Sequence, residues 1–247
     1  MKKGQHFIID QSLLERIADY AELTRSDRVL EVGPGTGNLT KVIASRAGQV
    51  YAIEVDPGLA ADLRGRFPNV DAVKGDASRI DLPEYNKIVS NLPYQISSKI
   101  TLRFLSRPFE LMVLMYQHEF AKRMLAKPGT NGYGRMAMIA GYLSRAELLE
   151  VVPRSAFRPV PAVKSAVVRL RPREHDVDAA EFIKFAEGLF GNRRKKIKKT
   201  LLAMGISRER LTELDASLLD MRPEELIPDE AAGLAKAIFD ENPDTSS

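Results

Sequence analysis

Over its first two-thirds the chain alternates short apolar runs with stretches of helical spacing, and this rhythm restricts the fold more than any other feature. "RVLEV" (28–32), "QVYAIEV" (49–55), "NVDAVKGD" (69–76), "NKIVS" (86–90) and "ELMVLMY" (110–116) read as five strands. "LTKVIASRA", "PGLAADLRGRF" with Pro57 near its start, "SSKITLRFL" and "HEFAKRMLAK" read as the helices that follow strands one, two, four and five. Repeated strand–helix alternation builds a doubly wound, parallel sheet. Two more runs, "AELLEVV" (146–152) and "KSAVVRL" (164–170), are separated only by the proline-rich "PRSAFRPVPAV". That spacing suits an antiparallel hairpin better than a crossover helix.

After "RPREHDVD" the spacing turns helical throughout, in "AAEFIKFAEGLFGNRRKKIKKTLLAMG", "SRERLTELDASLLD" and "PDEAAGLAKAIFDE". A boundary near Glu174 divides the chain into an α/β domain, 1–174, and a small all-helical C-terminal domain, 175–247. The last residues, "NPDTSS", have the composition of a disordered tail. The first residues carry no apolar run of signal-peptide length, and no segment is long enough to span a membrane. The expectation is a cytoplasmic protein, monomeric for want of a long apolar seam. A mostly parallel seven-stranded sheet ending in an antiparallel hairpin suggests the Rossmann-like class I methyltransferase architecture rather than a plain dinucleotide-binding fold.

The 247 residues include no cysteine and three histidines, His6, His118 and His175, far apart in the chain. Disulfides, thiolate metal sites and cysteine nucleophiles are excluded, and neither a zinc site nor a Ser-His-Asp triad is expected. Chemistry must run on carboxylates, amides, aromatic rings and a cofactor. The formal net charge is +4, but the excess is uneven: "NRRKKIKK" (192–199) holds Arg193, Arg194, Lys195, Lys196, Lys198 and Lys199. Such a cluster fits a polyanion such as nucleic acid; a solvated helix face is its plain alternative.

"EVGPGTGNLT" (31–40) follows the first strand. Gly33, Gly35 and Gly37 permit a tight turn and a close backbone approach to a ligand. The spacing G-x-G-x-G is not that of the dinucleotide fingerprint, and the loop lacks the Lys-Ser/Thr of a nucleotide triphosphate site. Glu54 ends the second strand, where a ligand on an open α/β sheet binds, and a carboxylate there can accept both hydrogen bonds of a ribose diol. Asp76 ends the third strand and could accept from an exocyclic adenine amine. Glycine loop, acid, acid on successive strands suits S-adenosylmethionine better than NAD.

The fourth strand ends in Asn91-Leu92-Pro93-Tyr94. At the edge shared with the cofactor loops, the Asn91 side-chain oxygen can accept from an amine, a free Pro93 carbonyl could be a second acceptor, and Tyr94 offers a face on which a base stacks, worth about 1–3 kcal/mol. Two acceptors on an adenine N6 amine favour its nucleophilic geometry, and a sulfonium donor then needs no strong base. Read alone, the same residues are a strand-terminating turn with Tyr94 in the core.

Taken together, "GQHFIID" (4–10), "EVGPGTGNLT", Glu54, "GDA" (75–77), "NLPY", "YQHEFAKRM" (116–124), "FRPVPAVKSAVVRL" (157–170) and "FGNRRKKIKKTL" (190–201) resemble the KsgA-type family, the small-subunit ribosomal RNA adenine dimethyltransferases. The resemblance implies transfer of methyl groups from S-adenosylmethionine to N6 of two adjacent adenosines near the 3′ end of small-subunit rRNA, within a pre-ribosomal subunit. It implies that His6, Ile8, Gly33, Gly35, Gly37, Glu54, Asp76 and Asn91 hold the cofactor. It further implies that Asn91 and Pro93 hold the target amine, with Tyr94 stacking on one face of the base and Phe157 covering the other. Ile8 and His6 stand where the family more often has Leu and Asn. The alternatives are a large-subunit rRNA adenine methylase, a ribosome-assembly factor that mainly binds, and, opposed by the glycine spacing, an NAD-dependent oxidoreductase.

Overall fold

The strands that the apolar runs predict owe their character to burial. In the structure, a computed structural model that describes residues 6–239, the chain divides into two compact units. The first comprises residues 1–121 and 146–172. It contains β1 (Phe7–Ile8), α1 (Gln11–Tyr20), β2 (Arg28–Val32), α2 (Asn38–Arg46), β3 (Gln49–Glu54), α3 (Pro57–Leu63), β4 (Val70–Lys74), β5 (Lys87–Asn91), α4 (Ser97–Leu105) and β6 (Leu111–Gln117). The chain then passes through α5 (His118–Met124) and α6 (Arg135–Leu143) before β7 (Ser144–Val152), β8 (Phe157–Arg158) and β9 (Ser165–Pro172).

Seven strands form one sheet in the order β4-β3-β2-β5-β6-β9-β7. The pairings of β2 with β3, β3 with β4, β2 with β5 and β5 with β6 are parallel, and β9 runs antiparallel to β6. The expected seven-stranded, mostly parallel sheet with an antiparallel pair is therefore present. Central strands are covered on both faces, which is why β5 and β6 read as unbroken apolar runs. The edge strand β4 is largely exposed and ends in Lys74, a charge that discourages pairing with another chain. Helix starts are set locally: Asp10 Oδ1 accepts from Leu13 N at 3.1 Å, and Asp56 Oδ1 accepts from Gly58 N at 2.9 Å beside Pro57.

As secondary structure, residues 153–163 read from the sequence as a proline-rich connector. Within it β8 leaves the main sheet and pairs antiparallel with β1, Ile8 opposite Phe157. Neither two-residue strand carries a periodic signal, because each exists only through the other.

The second unit comprises residues 122–145 and 173–247. Its helices after residue 172 are α7 (Ala179–Gly191), α8 (Ile197–Ala203), α9 (Arg208–Thr212), α10 (Ala216–Asp220) and α11 (Pro228–Phe239). The expected boundary near Glu174 thus marks only the last passage into this unit; the unit also takes 122–145, with α6 packed against α7 and α11. The single long helical stretch expected over 179–205 is broken at Asn192, where the backbone leaves helical geometry (φ −128, ψ 41). Gly191 and four consecutive cations, Arg193 to Lys196, disfavour continuing the helix there. The expected disordered tail and the first two residues of "GQHFIID" lie outside the described residues.

Candidate active site

At the carboxyl ends of β2, β3, β4 and β5 the first unit encloses a cavity of about 340 Å³, within the usual range for a small-ligand site. Gly33, Gly35 and Gly37, between β2 and α2, adopt φ of 71, 57 and 81, a region that side chains rarely enter. The glycines also permit close approach. A Cβ on Gly33 would stand 3.0 Å from Pro93 Cγ, and one on Gly35 would stand 2.5 Å from the Phe7 ring. Gly35 N donates to Glu54 Oε2 at 3.1 Å, and Asp56 N donates to Glu54 Oε1 at 2.9 Å. Each oxygen keeps further acceptor capacity toward the cavity that Glu54 lines. Asp76 lines the same wall; the Ser78 hydroxyl and N–H, with Arg79 and Lys99 beyond, hold its carboxyl below the usual range. Its loop is tied down by Arg103, which donates to the carbonyls of Ala77 and Ile80, both at 2.6 Å.

Asn91 ends β5 on this wall. Its Nδ2 donates to the His6 carbonyl at 3.2 Å, which leaves Oδ1 without a donor among the described residues. Tyr94 shares a hydrogen bond with Ser165 Oγ at 2.7 Å, which ties its ring to β9. His6 and Ile8, on the N-terminal segment, complete the lining, and Asn38 Nδ2 holds the Ile8 carbonyl at 2.7 Å. The eight residues expected to hold a cofactor therefore come together, Gly37 excepted: it adjoins the cavity as the N-cap of α2 without lining it.

Two expectations need correction. The Pro93 carbonyl is not free: it accepts from Ile96 N at 3.1 Å and from Ser97 Oγ at 3.2 Å, as the turn into α4 requires. The Leu92 carbonyl, one residue earlier on the cavity wall, has no donor among the described residues. Phe157 does not line the cavity. Because β8 pairs with β1, its ring is fully buried in the core that includes Ile8, Leu13 and Leu14, and presents no face to a base.

One residue of the site was not singled out from the sequence. Glu31, 1% exposed and on the cavity wall, has an Oε2 without any hydrogen-bond partner among the described residues. Burial, with the charge of Glu54 nearby, pushes its carboxyl up to about 8. Its place in "EVGPGTG", directly before the glycines, was the available signal. In the second unit, Arg193 and Lys196 are engaged by Glu224 and Asp220, at 2.9 and 3.0 Å. Arg194, Lys195, Lys198 and Lys199 are exposed and have no ionic partner among the described residues.

The profile of a family described as ribosomal RNA adenine dimethylase matches residues 1–236. The chain belongs to this family. A relative from Methanosarcina mazei, named a probable ribosomal RNA small subunit methyltransferase A, is 42% identical across 96% of this chain and 92% of its own. One of the same name from Methanothermobacter thermautotrophicus is 44% identical across 96% and 90%. Among solved structures, a dimethyladenosine transferase from Plasmodium falciparum superposes with a TM-score of 0.80 at 26% identity, over 92% of this chain and 95% of that one. The 23S rRNA methyltransferase ErmE gives 0.68 at 30% identity, over 94% and 99%. The fold and enzyme class expected for this rRNA adenine dimethylase are those of its relatives. As a member of the family it is a methyltransferase.

Proposed function

We propose that the protein dimethylates N6 of two adjacent adenosines near the 3′ end of small-subunit rRNA, using S-adenosylmethionine. The residues present suit this cofactor: a glycine loop closed over the cavity, two carboxylates for hydroxyl and amine donors, and the unpartnered Glu31 Oε2 as an acceptor for an ammonium. Bound there, the cofactor supplies an electrophilic methyl group on a positively charged sulfur. Gly33, Gly35, Glu54, Asp76 and Ile8 bind it, and Glu54 suits the ribose diol.

The observation that carries the reading is that one wall of this cavity is lined by Asn91 and Leu92, whose side-chain Oδ1 and main-chain carbonyl are acceptors without donors among the described residues. Together they hold both hydrogens of an adenine N6 amine and draw its lone pair out of conjugation with the ring. Tyr94 stacks on the extruded base. Water can take the proton released after transfer, so no strong base is needed. In the second unit, Arg194, Lys195, Lys198 and Lys199 contact phosphates and position the RNA without reading its sequence, while Arg193 and Lys196 would do so only by exchanging their carboxylate partners. A monomeric, cytoplasmic enzyme acting on a pre-ribosomal subunit completes the reading.

The test is methyl transfer from labelled S-adenosylmethionine to unmethylated small subunits, with nucleoside analysis. N6,N6-dimethyladenosine should form, and Asn91→Ala should lower the rate about 100-fold or more while the protein still binds the cofactor. The likeness to a 23S rRNA methyltransferase supplies a second reading, large-subunit adenine methylation. Transfer to isolated large subunits but not small ones would establish it instead.

A further inference from the structure

With Phe157 buried, the connector around it has no assigned task, yet its composition is one-sided. Residues 151–173 hold six cations, Arg154, Arg158, Lys164, Arg169, Arg171 and Arg173, and no Asp or Glu. The fold neutralises the last three. Glu22 and Glu147 engage Arg169, Glu22 engages Arg171, and Asp229 engages Arg173. The first three are exposed and have no carboxylate partner among the described residues. Arg154 serves the shape of the connector, since its Nε donates to the Pro161 carbonyl at 2.7 Å. Arg158 donates from Nη1 to the Phe157 carbonyl at 3.0 Å, which leaves most of its fork of donors unengaged. Pro153, Pro159 and Pro161 fix φ along the connector, so a ligand that binds it orders little further backbone.

The connector ends beside the Tyr94 side of the cavity. The Lys164 carbonyl accepts from His118 N at 3.0 Å, at the carboxyl end of β6. Ser165, the next residue, lies opposite Gln117 of β6 and bonds to the Tyr94 hydroxyl at 2.7 Å. Asn91 lies opposite Met115 on the other side of β6. Two strand spacings across and two residues along put Ser165 about 12 Å from Asn91. A base extruded to Asn91 leaves its phosphates outside, because burying that charge without a cation is too costly. We propose that Arg158 and Lys164 contact phosphates of the RNA strand flanking the target adenine. The connector is then an RNA-contacting segment of the first unit, distinct from the basic run of the second. The exposed Val160 and Val163 between the two cations offer apolar contact to the sugars. Contacts of this kind set where the strand lies and leave its sequence unread. The proposal rests on the reading that an RNA adenine is methylated at Asn91.

The test uses the full-length protein with Arg158→Gln, Lys164→Gln, the double variant and the charge-conserving Lys164→Arg. Methyl transfer is measured on unmethylated small subunits, S-adenosylmethionine binding by calorimetry, and binding to protein-free small-subunit rRNA across a salt series. Each Gln variant should lower kcat/KM for the RNA about 10-fold. The loss should fall on KM, with kcat and cofactor affinity within about 2-fold of wild type. Each should also reduce the slope of log K against log salt by about 0.7, the double variant by about twice that. Lys164→Arg should stay near wild type in every readout, which a merely structural role for the lysine stem would not require. Wild-type transfer with an unaffected double variant overturns the connector's role alone. A fall in cofactor affinity, or in melting temperature, equal to the fall in RNA binding also overturns it. Impaired transfer with unchanged binding to protein-free rRNA would make a ribosomal protein the partner and overturn it too. No transfer by the wild-type protein overturns the function reading, and this proposal with it.

Discussion

Two buried carboxyl groups behave oppositely, and their surroundings say why. Asp27, 3% exposed, would be raised by burial, but hydrogen bonds from Thr24 N, Asn86 Nδ2 and Lys87 Nζ outweigh that and hold it below the usual range. Its stabilising contribution is present above the unfolded pKa near 3.8 and is lost as pH falls through the lower folded value. Lys87→Met leaves that carboxylate buried without its cation and should cost about 3–5 kcal/mol in urea unfolding at neutral pH. Glu31 has no such partners at Oε2, and its folded pKa lies above the unfolded one. The folded state then keeps a proton that the unfolded chain loses. Stability should fall as pH rises from about 4.5 to about 8, by at most about 1.4 kcal/mol per unit. Glu31→Gln should flatten that slope in melts without cofactor while weakening S-adenosylmethionine binding; a slope unchanged from wild type would refute this account of Glu31. The sequence placed Glu54 and Asp76 through their positions at strand ends, but Glu31 lies inside a strand and reads as an ordinary inward-facing residue.

At the scale of elements, the glycine loop and β1 depend on each other. Gly35→Ala faces an unfavourable φ, costing about 1–2 kcal/mol, and a Cβ 2.5 Å from the Phe7 ring. Both cofactor affinity and melting temperature should drop, and adding Phe7→Ala should recover the steric part alone. Full recovery would show that backbone conformation is not limiting. Strand β2 and helix α4 begin and end where local signals put them, since apolar runs and helical spacing are properties of neighbours in sequence. The β1–β8 pair was not legible, because residues 7–8 and 157–158 acquire structure only by meeting across about 150 positions. The break at Asn192 was missed for the opposite reason: helical spacing continues through it, and only Gly191 and the local charge run argued against a continuous helix.

Across the whole molecule, the modest net charge conceals a segment suited to phosphate. If Arg194, Lys195, Lys198 and Lys199 each contact one, replacing any of them by Gln should weaken RNA binding similarly for all sequences. Each replacement should also reduce the slope of log K against log salt by about 1. Arg193→Gln and Lys196→Gln should change the slope less, because Glu224 and Asp220 already engage them. Filter binding across a salt series measures both; equal slopes for all six variants would refute the distinction. The sequence by itself determined the sheet's strands, the chemistry available to a chain without cysteine, and the acids and amide that end successive strands. These follow from periodicity and residue type, which are local. The tertiary structure alone decided that residues 122–145 join the helical unit, that Phe157 is core rather than site, and that the Leu92 carbonyl rather than that of Pro93 is unengaged. Each depends on which distant groups compete for a surface or a hydrogen bond, and that competition is resolved only when the chain has folded.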